Sequence, residues 1–233
     1  MKRIVLKLSG EALLAEKGSG ISLQSLFRIA EEIKAAFNRS IQLGIVVGGG
    51  NIWRGARDQG LGLERAISDN MGMLATLINA LAMQNVLEQI GVTTRVMSAI
   101  PVSHVSEPYI RRRAIRHMEK GRIVVFAAGT GNPYFSTDTA AALRASEIGA
   151  SLLLKATQVD GVYTGDPKKS KKVKLYKRVT LTEAIQQRLG VMDTTALALC
   201  RENNLSIRVF NLHKPHNITQ ALKGKDVGTL VTP

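Results

Sequence analysis

Gly44-Ile45-Val46-Val47-Gly48-Gly49-Gly50-Asn51-Ile52-Trp53-Arg54 is the stretch on which the reading of the chain turns. An apolar run ends in three consecutive glycines, followed by an amide, an indole and a guanidinium. Glycine has no Cβ, so bare N–H groups at a strand end let a phosphate come close. Arg54, placed just past the glycines, would then fork onto phosphate oxygens. An ordinary tight turn with Arg54 on the surface fits the same letters. The neighbouring segments have to decide.

Upstream, residues 3–8 form a short apolar run interrupted by Lys7 and broken by Ser9-Gly10. Ser22 is placed to cap a helix in which Leu23, Leu26, Ile29, Ala30, Ile33 and Phe37 recur at helical spacing. Gly44 is expected to precede the second strand. Downstream, residues 64–90 read as a long helix whose Met71, Met73 and Met83 suit adaptable core filling. Asp69 and Asn70 near its start are polar where the apolar face begins. Further strands are expected at 92–97, 122–127, 151–154, 207–210 and 229–231. Further helices are expected from Pro108 to before Gly121 and at 139–149, 181–189, 194–203 and 216–222. Asp160-Gly161 carries a hairpin-turn signal. Continuous Val/Ile/Leu strands alternating with helices predict an α/β fold, with a mostly parallel sheet buried on both faces. With 233 residues at 45% hydrophobic composition, there is enough chain for one sizeable core or at most two small ones.

Such folds bind ligands at the C-terminal ends of their strands. Four turns lie there: Lys7-Leu8-Ser9-Gly10, the stretch from Gly48 to Arg54, Gly129 to Asp138, and Lys155 with its loop. Three offer glycine- or hydroxyl-rich backbone and two offer a lysine. Ser136, Thr137, Asp138 and Thr139 open a helix, whose free N–H groups and dipole favour an anion; plain capping is compatible with the same residues. Together these features suit more than one phosphate. The G-x-x-x-x-G-K-[ST] loop is absent, and Gly129-x-Gly131 lacks the third glycine of a dinucleotide fingerprint. His104, His117, His213 and His216 have no zinc-ligand spacing. Cys200, inside an apolar helix, reads as a buried thiol rather than a nucleophile.

The formal net charge is +14 and the mean hydropathy +0.02. The charge sits in Arg111-Arg112-Arg113 with Arg116, and in the lysine-dense run from Lys168 to Arg178. Aromatics are 4% of the chain and do not interleave with either block, so base stacking is not suggested and solvated faces fit both blocks better than nucleic acid. No apolar run approaches the ~18 residues of a membrane span. With a single cysteine and no signal-peptide pattern, the expectation is a cytoplasmic protein without membrane contact.

The motifs Lys7-Leu8-Ser9-Gly10-Glu11-Ala12-Leu13, Gly48-Gly49-Gly50-Asn51, Asp69-Asn70-Met71-Gly72-Met73-Leu74-Ala75-Thr76 and Gly129-Thr130-Gly131-Asn132-Pro133 resemble those of the bacterial uridylate (UMP) kinases, in the amino-acid-kinase superfamily. Lys155-Ala156-Thr157, Val159-Asp160-Gly161-Val162-Tyr163, Asp166-Pro167 and Val191-Met192-Asp193 continue the likeness in order. It covers essentially the whole chain. The lysine-dense loop after Asp166 departs from the pattern.

The resemblance implies a single three-layer αβα domain over 1–233, its N-terminal part mainly for UMP and its C-terminal part mainly for ATP. It implies phosphorylation of UMP to UDP in pyrimidine nucleotide synthesis, with ATP and Mg²⁺ and no dedicated protein metal site. Lys7, Arg54, Lys155 and Asp138 would be catalytic. Lys7, Leu8, Ser9, Gly10, Gly50, Arg54, Thr157, Tyr163 and Asp166 would hold ATP. Gly49, Asp69 and Thr130, Gly131, Asn132, Pro133, Tyr134, Phe135, Ser136 and Thr137 would hold UMP. Asp193 would sit further from the phosphates. Ala15, Glu16, Lys17, Gly18, Ser19 and Gly20 match a loop linked to GTP activation; UTP inhibition and a homohexamer are also implied. The rival readings are a superfamily kinase acting on a carboxylate or carbamate, and a nucleic-acid-binding regulator suggested by the charge.

Overall fold

A computed structural model describes residues 1–15, 18–53, 62–167, 169–170 and 172–233. Its described residues carry one nine-stranded sheet in the order β4-β3-β5-β2-β1-β6-β8-β9-β7. In chain order the strands are β1 Lys2–Leu8, β2 Ile41–Val47, β3 Thr94–Ser98, β4 Glu107–Pro108, β5 Ile123–Ala127, β6 Leu152–Thr157, β7 Arg178–Thr180, β8 Ser206–Asn211 and β9 Thr229–Thr232. The pairs from β4 across to β8 are parallel, and β9 runs antiparallel to β8. The helices are α1 Leu23–Lys34, α2 Arg65–Gln89, α3 Arg111–Glu119, α4 Thr137–Glu147, α5 Leu181–Gln186, α6 Thr194–Glu202 and α7 Asn217–Leu222.

Strand β1 shows how the layers arise. Its side chains alternate across the sheet: Ile4, Leu6 and Leu8 join a core built with α1, α2 and α7. Val5 joins the opposite core with α3, α4, α5 and α6. Both faces of a parallel sheet are thus covered, which explains why the strands read as unbroken apolar runs. The expected α/β sandwich is what forms.

Several boundaries differ from the sequence reading, each for a local reason. Gly44 lies inside β2, where a Cβ would meet the Phe126 ring at 2.7 Å. Pro108 belongs to the edge strand β4, and the basic helix starts at Arg111. Proline lacks the N–H of an inner ladder and is tolerated at an edge. Lys155 lies within β6, which continues to Thr157. Asp160-Gly161 is not the tip of a hairpin: the antiparallel bridge is Tyr163 to Leu175, and Gly161 packs under Thr229. Helix α4 begins two residues earlier than expected, capped by Ser136, whose Oγ accepts from the Asp138 and Thr139 N–H groups at 3.0 and 3.1 Å.

Candidate phosphoryl-transfer site

The strand ends of β1, β2, β5 and β6 meet along one rim. Lys7 on β1 is in register with Lys155 on β6, and parallel neighbours in register send their side chains to the same face. Both ammonium groups reach one carboxylate. Lys7 Nζ lies 2.8 Å from Asp138 Oδ1, and Lys155 Nζ lies 2.7 Å from Asp138 Oδ2. Lys155 also donates to the Val191 carbonyl at 2.5 Å. Burial presses the Asp138 carboxyl upward, but the two ammoniums outweigh it and hold it below the usual carboxylate range. Burial, aided by repulsion from Lys7, draws Lys155 below the ordinary lysine range despite Asp138. The trio carries one net positive charge at the N-terminus of α4, itself an electropositive point.

The triple glycine is explained by backbone contacts. A Cβ on Gly48 would sit 2.8 Å from the Gly10 nitrogen, and one on Gly10 would sit 2.5 Å from the Gly50 nitrogen. A Cβ on Gly49 would press on the Gly72 carbonyl of α2 at 2.7 Å. The turns after β1 and β2 therefore interlock, and helix α2 closes on them. Asn79, fully buried on α2, donates to the Gly48 carbonyl at 2.7 Å and pairs reciprocally with the Asn51 amide at 2.7 and 3.1 Å. Asn51 also donates to the Gly20 carbonyl at 3.0 Å, docking Gly18, Ser19 and Gly20 beside the glycine turn. Ala15 accepts from the Gly18 N–H at 3.0 Å. Glu16, Lys17 and Arg54 lie outside the described residues.

On the other side of the turn lies an open cleft of about 170 Å³. Gly49, Gly50, Asp69, Asn132, Phe135, Ser136 and Thr137 line it, with Trp53, Ser68, Met73 and Thr76. Trp53 Nε1 donates to Ser68 Oγ at 3.0 Å, fixing the indole against α2. Asp69 accepts from the Tyr134 N–H at 2.8 Å, so the loop after β5 is tied to the long helix. Tyr134 itself has φ 72°, and Ala128 and Gly129 have φ 60° and 58°. Non-glycine residues in this left-handed region are uncommon and cluster at functional sites. The Ala128 N–H is held by the buried Thr76 Oγ1 at 2.8 Å. Thr130 Oγ1 accepts from the Asn132 N–H at 3.2 Å, and Gly131 packs against Ala99.

Asp193 ties the loops together from behind. It caps α6, accepting from the Ala196 N–H at 2.9 Å, and accepts from Thr139 Oγ1 at 2.9 Å and from Ser136 Oγ. Its carboxylate is thus spent on anchoring the start of α4. Thr157, Tyr163 and Asp166 follow from β6 on the other flank, where Tyr163 and Asp166 line a second cleft with Gln187 and Arg188. Ser9 Oγ accepts from the Glu11 N–H at 3.3 Å and caps the short 3₁₀ turn Gly10–Leu13. Cys200 is buried, and its thiol is pushed up to about 12 by burial and the nearby Asp138 and Asp193, which keeps it protonated.

Sequence reasoning missed Asn79 and Arg144, and gave no role to Thr76, which closes one of the quoted motifs. Each is a polar residue on an apolar helix face, and such a residue, once buried, needs partners. Among the described residues no group of three or more His, Cys, Asp or Glu side chains is placed to hold a metal ion. No helix among them is long and apolar enough to cross a membrane.

A rim with two lysines, an anion-ready helix start and interlocked glycine turns can hold two anionic groups side by side. Comparison with known proteins agrees. The profile of the Amino acid kinase family matches residues 2–211. The chain is 56% identical over 230 residues to a uridylate kinase of Methylococcus capsulatus, covering 99% of this chain and 96% of that one. It is 54% identical, with the same coverage, to a uridylate kinase of Paramagnetospirillum magneticum. Among solved structures, a UMP kinase from Bacillus anthracis superposes with a TM-score of 0.95 at 41% identity, covering 99% and 96% of the two chains. A uridylate kinase from Archaeoglobus fulgidus superposes with a TM-score of 0.77 at 29% identity over the full length of both. The chain belongs to the amino acid kinase family and, within it, to the uridylate kinases, a family of enzymes.

Proposed function

We propose that the protein transfers the γ-phosphoryl group of ATP to UMP, giving ADP and UDP, by in-line displacement without a general base. The observation that carries this reading is the Lys7–Asp138–Lys155 cluster, its lysines in register beside the glycine turns and next to the cleft lined by Gly49, Gly50 and Asp69. A UMP phosphate is already ionised near neutral pH, so its oxygen attacks the γ-phosphorus without losing a proton. The bond from that phosphorus to the β–γ bridging oxygen breaks, and ADP leaves with the electron pair. The protein's work is alignment and charge neutralisation.

In this reading Lys7, Leu8, Ser9, Gly10, Gly50 and Arg54 hold the ATP phosphates, and Thr157, Tyr163 and Asp166 line its nucleoside. Gly49, Asp69 and Thr130 to Thr137 hold UMP. The N-terminal half thus serves the acceptor mainly and the C-terminal half the donor. Lys155 and Lys7 neutralise charge on the passing phosphoryl group, and Asp138 holds both ammoniums in place. Asp138 Oδ1 is buried and, among the described residues, makes no aligned hydrogen bond beyond its ion pair with Lys7. That single carboxylate beside two ammoniums fits a Mg²⁺ delivered on nucleotide phosphates rather than caged by protein. Mg²⁺ bound there would supply further neutralisation of phosphate charge.

Membership of pyrimidine nucleotide synthesis in the cytoplasm, activation by GTP, inhibition by UTP and a homohexamer belong to the same proposal. The last has support in α2, where Ile67, Met71, Leu74 and Ile78 form an exposed apolar stripe on one face. Another copy of the chain would cover it. A coupled ADP-release assay with UMP, CMP, aspartate, glutamate derivatives and carbamate tests the reading. UMP-dependent turnover is expected, modulated by GTP and UTP. ADP release dependent on a carboxylate or carbamate instead of UMP would overturn it.

A further inference from the structure

We propose that Arg144 is a positioning residue for the acceptor nucleotide, acting through the loop that follows β5; this rests on the assignment of that loop to UMP. Arg144 lies on α4, one turn before the helix ends, and its side chain is 5% exposed. A guanidinium so deeply buried must spend its donors on protein groups. It does so in three directions. Nη1 donates to Glu147 Oε2 at 2.6 Å. The guanidinium carbon lies 4.0 Å from the centroid of the Tyr109 ring. Nη2 reaches the carbonyl oxygens of Gly129 and Thr130 at 3.3 and 3.4 Å.

The support is itself supported. Tyr109 donates its hydroxyl to the same Glu147 oxygen at 2.6 Å and stands edge-on to Phe126 of β5. Burial and Glu147 raise the phenol above its ordinary pKa, so it stays a donor. The backbone N–H of Tyr109 is anchored to the Ser98 carbonyl at 2.8 Å. A buried ion pair is a weak source of stability, and its best-attested use is to fix one arrangement among several. Here the arrangement needing support is the turn in which Ala128, a non-glycine residue, sits at positive φ beside Gly129. Strain of that kind persists only where its surroundings over-determine it. Thr76 holds the loop from the α2 side and Arg144 from the α4 side. By drawing two successive carbonyls inward, Arg144 turns the intervening Thr130 N–H the opposite way, because a trans peptide sets N–H against C=O. Arg144 therefore sets the loop's orientation, on which Gly129, Asn132 and Phe135 depend as cleft-lining residues.

The test compares Arg144→Met, Arg144→Lys and Tyr109→Phe with the wild-type enzyme, measuring KM for UMP and for ATP separately, with thermal melts as a check on folding. Wild-type turnover with UMP establishes the acceptor assignment independently; its absence would sink that assignment rather than isolate Arg144. Arg144→Met is expected to raise KM for UMP roughly 10-fold or more with KM for ATP little changed, since misplacing a binding group by about an ångström costs on that scale. Arg144→Lys, which keeps the charge but not the fork, should recover part of the loss. Tyr109→Phe should show the same UMP-selective direction, more weakly. If Arg144→Met does not fold, Arg144→Lys and Tyr109→Phe decide the matter by the same criterion. Equal rises in both KM values, or no change in either, would overturn the proposal, since a merely structural residue has no reason to favour one substrate.

Discussion

Asn79, Thr76, Asp69 and Arg144 hold the turns after β2 and β5 through side chains that are buried or partly so, and the loop after β5 is reached from opposite helices, by Thr76 and Asp69 on α2 and by Arg144 on α4. The segment after β6 is held differently. There backbone pairs carry more of the work: the Thr164 N–H donates to the Lys174 carbonyl and the Tyr176 N–H to the Val162 carbonyl, with the buried Thr229 hydroxyl accepting from the Val162 N–H and donating to the Tyr176 carbonyl. Asp160 accepts from Asn211 and Lys214 at 2.9 and 2.8 Å, which lowers its pKa, but in an open setting where such pairs are weak. On the proposed assignment the acceptor flank is thus built in advance, while among the described residues the donor flank has fewer buried supports. A site that must exclude water from a transferring phosphoryl group needs at least one rigid wall. The glycine turns and α2 supply it, and ATP would be received against it.

The strongest way to break this comparison is to strike where the flanks meet. Lys155→Met removes one of the two cations beside Asp138 and leaves the carboxylate half paired. Turnover is expected to fall on the order of 10²- to 10³-fold, by analogy with losing one oxyanion donor. Folding should survive, because Lys7 still pairs with Asp138. Turnover within a few-fold of wild type in the coupled ADP assay would show that the cluster is structural only.

Next in size is the rigid wall itself. Asn79→Ala leaves the Gly48 carbonyl and the Asn51 amide buried with lost partners. A loss of roughly 1–3 kcal/mol in unfolding free energy is expected from such unsatisfied groups. Urea titration of the purified protein measures it, and a change below about 0.5 kcal/mol would mean the wall is not built as described.

A pH series sharpens the electrostatics. Lys155 sits below the ordinary lysine range, so it loses its charge earlier than a free lysine as pH rises. The profile of kcat/KM reports the free enzyme, and its alkaline limb should therefore fall before the normal lysine range. Asp138 is an influence that raises Lys155, so Asp138→Asn should move the limb to still lower pH. An unmoved limb would assign it to another group. On the acid side Asp138 is held low in the fold, so the stability it contributes is present above the unfolded carboxylate pKa and lost only as pH falls through the lowered folded value.

The two flanks also differ in how much of them a reader of the sequence could foresee. The glycine turns, both lysines and the Ser136–Asp138 helix start are legible because each is a local signal: glycine needs, charge in an apolar run, a cap. The sheet follows from alternation alone. What holds the glycine turn is not local. Gly48 needs to be glycine because Gly10 lies against it, a contact made only once β1 and β2 pair. Lys7 and Lys155 meet through strand register, and Arg144 reads as one more helix arginine until β5, Tyr109 and α4 are brought together. Gly44 looks like a strand breaker because nothing nearby reveals the Phe126 ring that fills its place. Long-range packing, rather than missing motifs, set the limit.

The smallest expected effect lies on the donor flank. Thr164 is exposed, and its hydroxyl accepts from the Lys174 N–H at 3.0 Å. Water can replace that partner, so Thr164→Ala should cost less than about 0.5 kcal/mol. For a chain of this size that corresponds to a melting shift of no more than about 2 °C. KM for UMP should not respond, and any kinetic change should appear in KM for ATP. The value of so small an experiment lies in its contrast with Asn79→Ala. Both substitutions delete a side-chain hydrogen bond to loop backbone, and they differ in whether water can take the vacated place. A melting loss comparable to that of Asn79→Ala would mean that the donor loop is as firmly built as the acceptor wall, and the contrast between the flanks would fall with it.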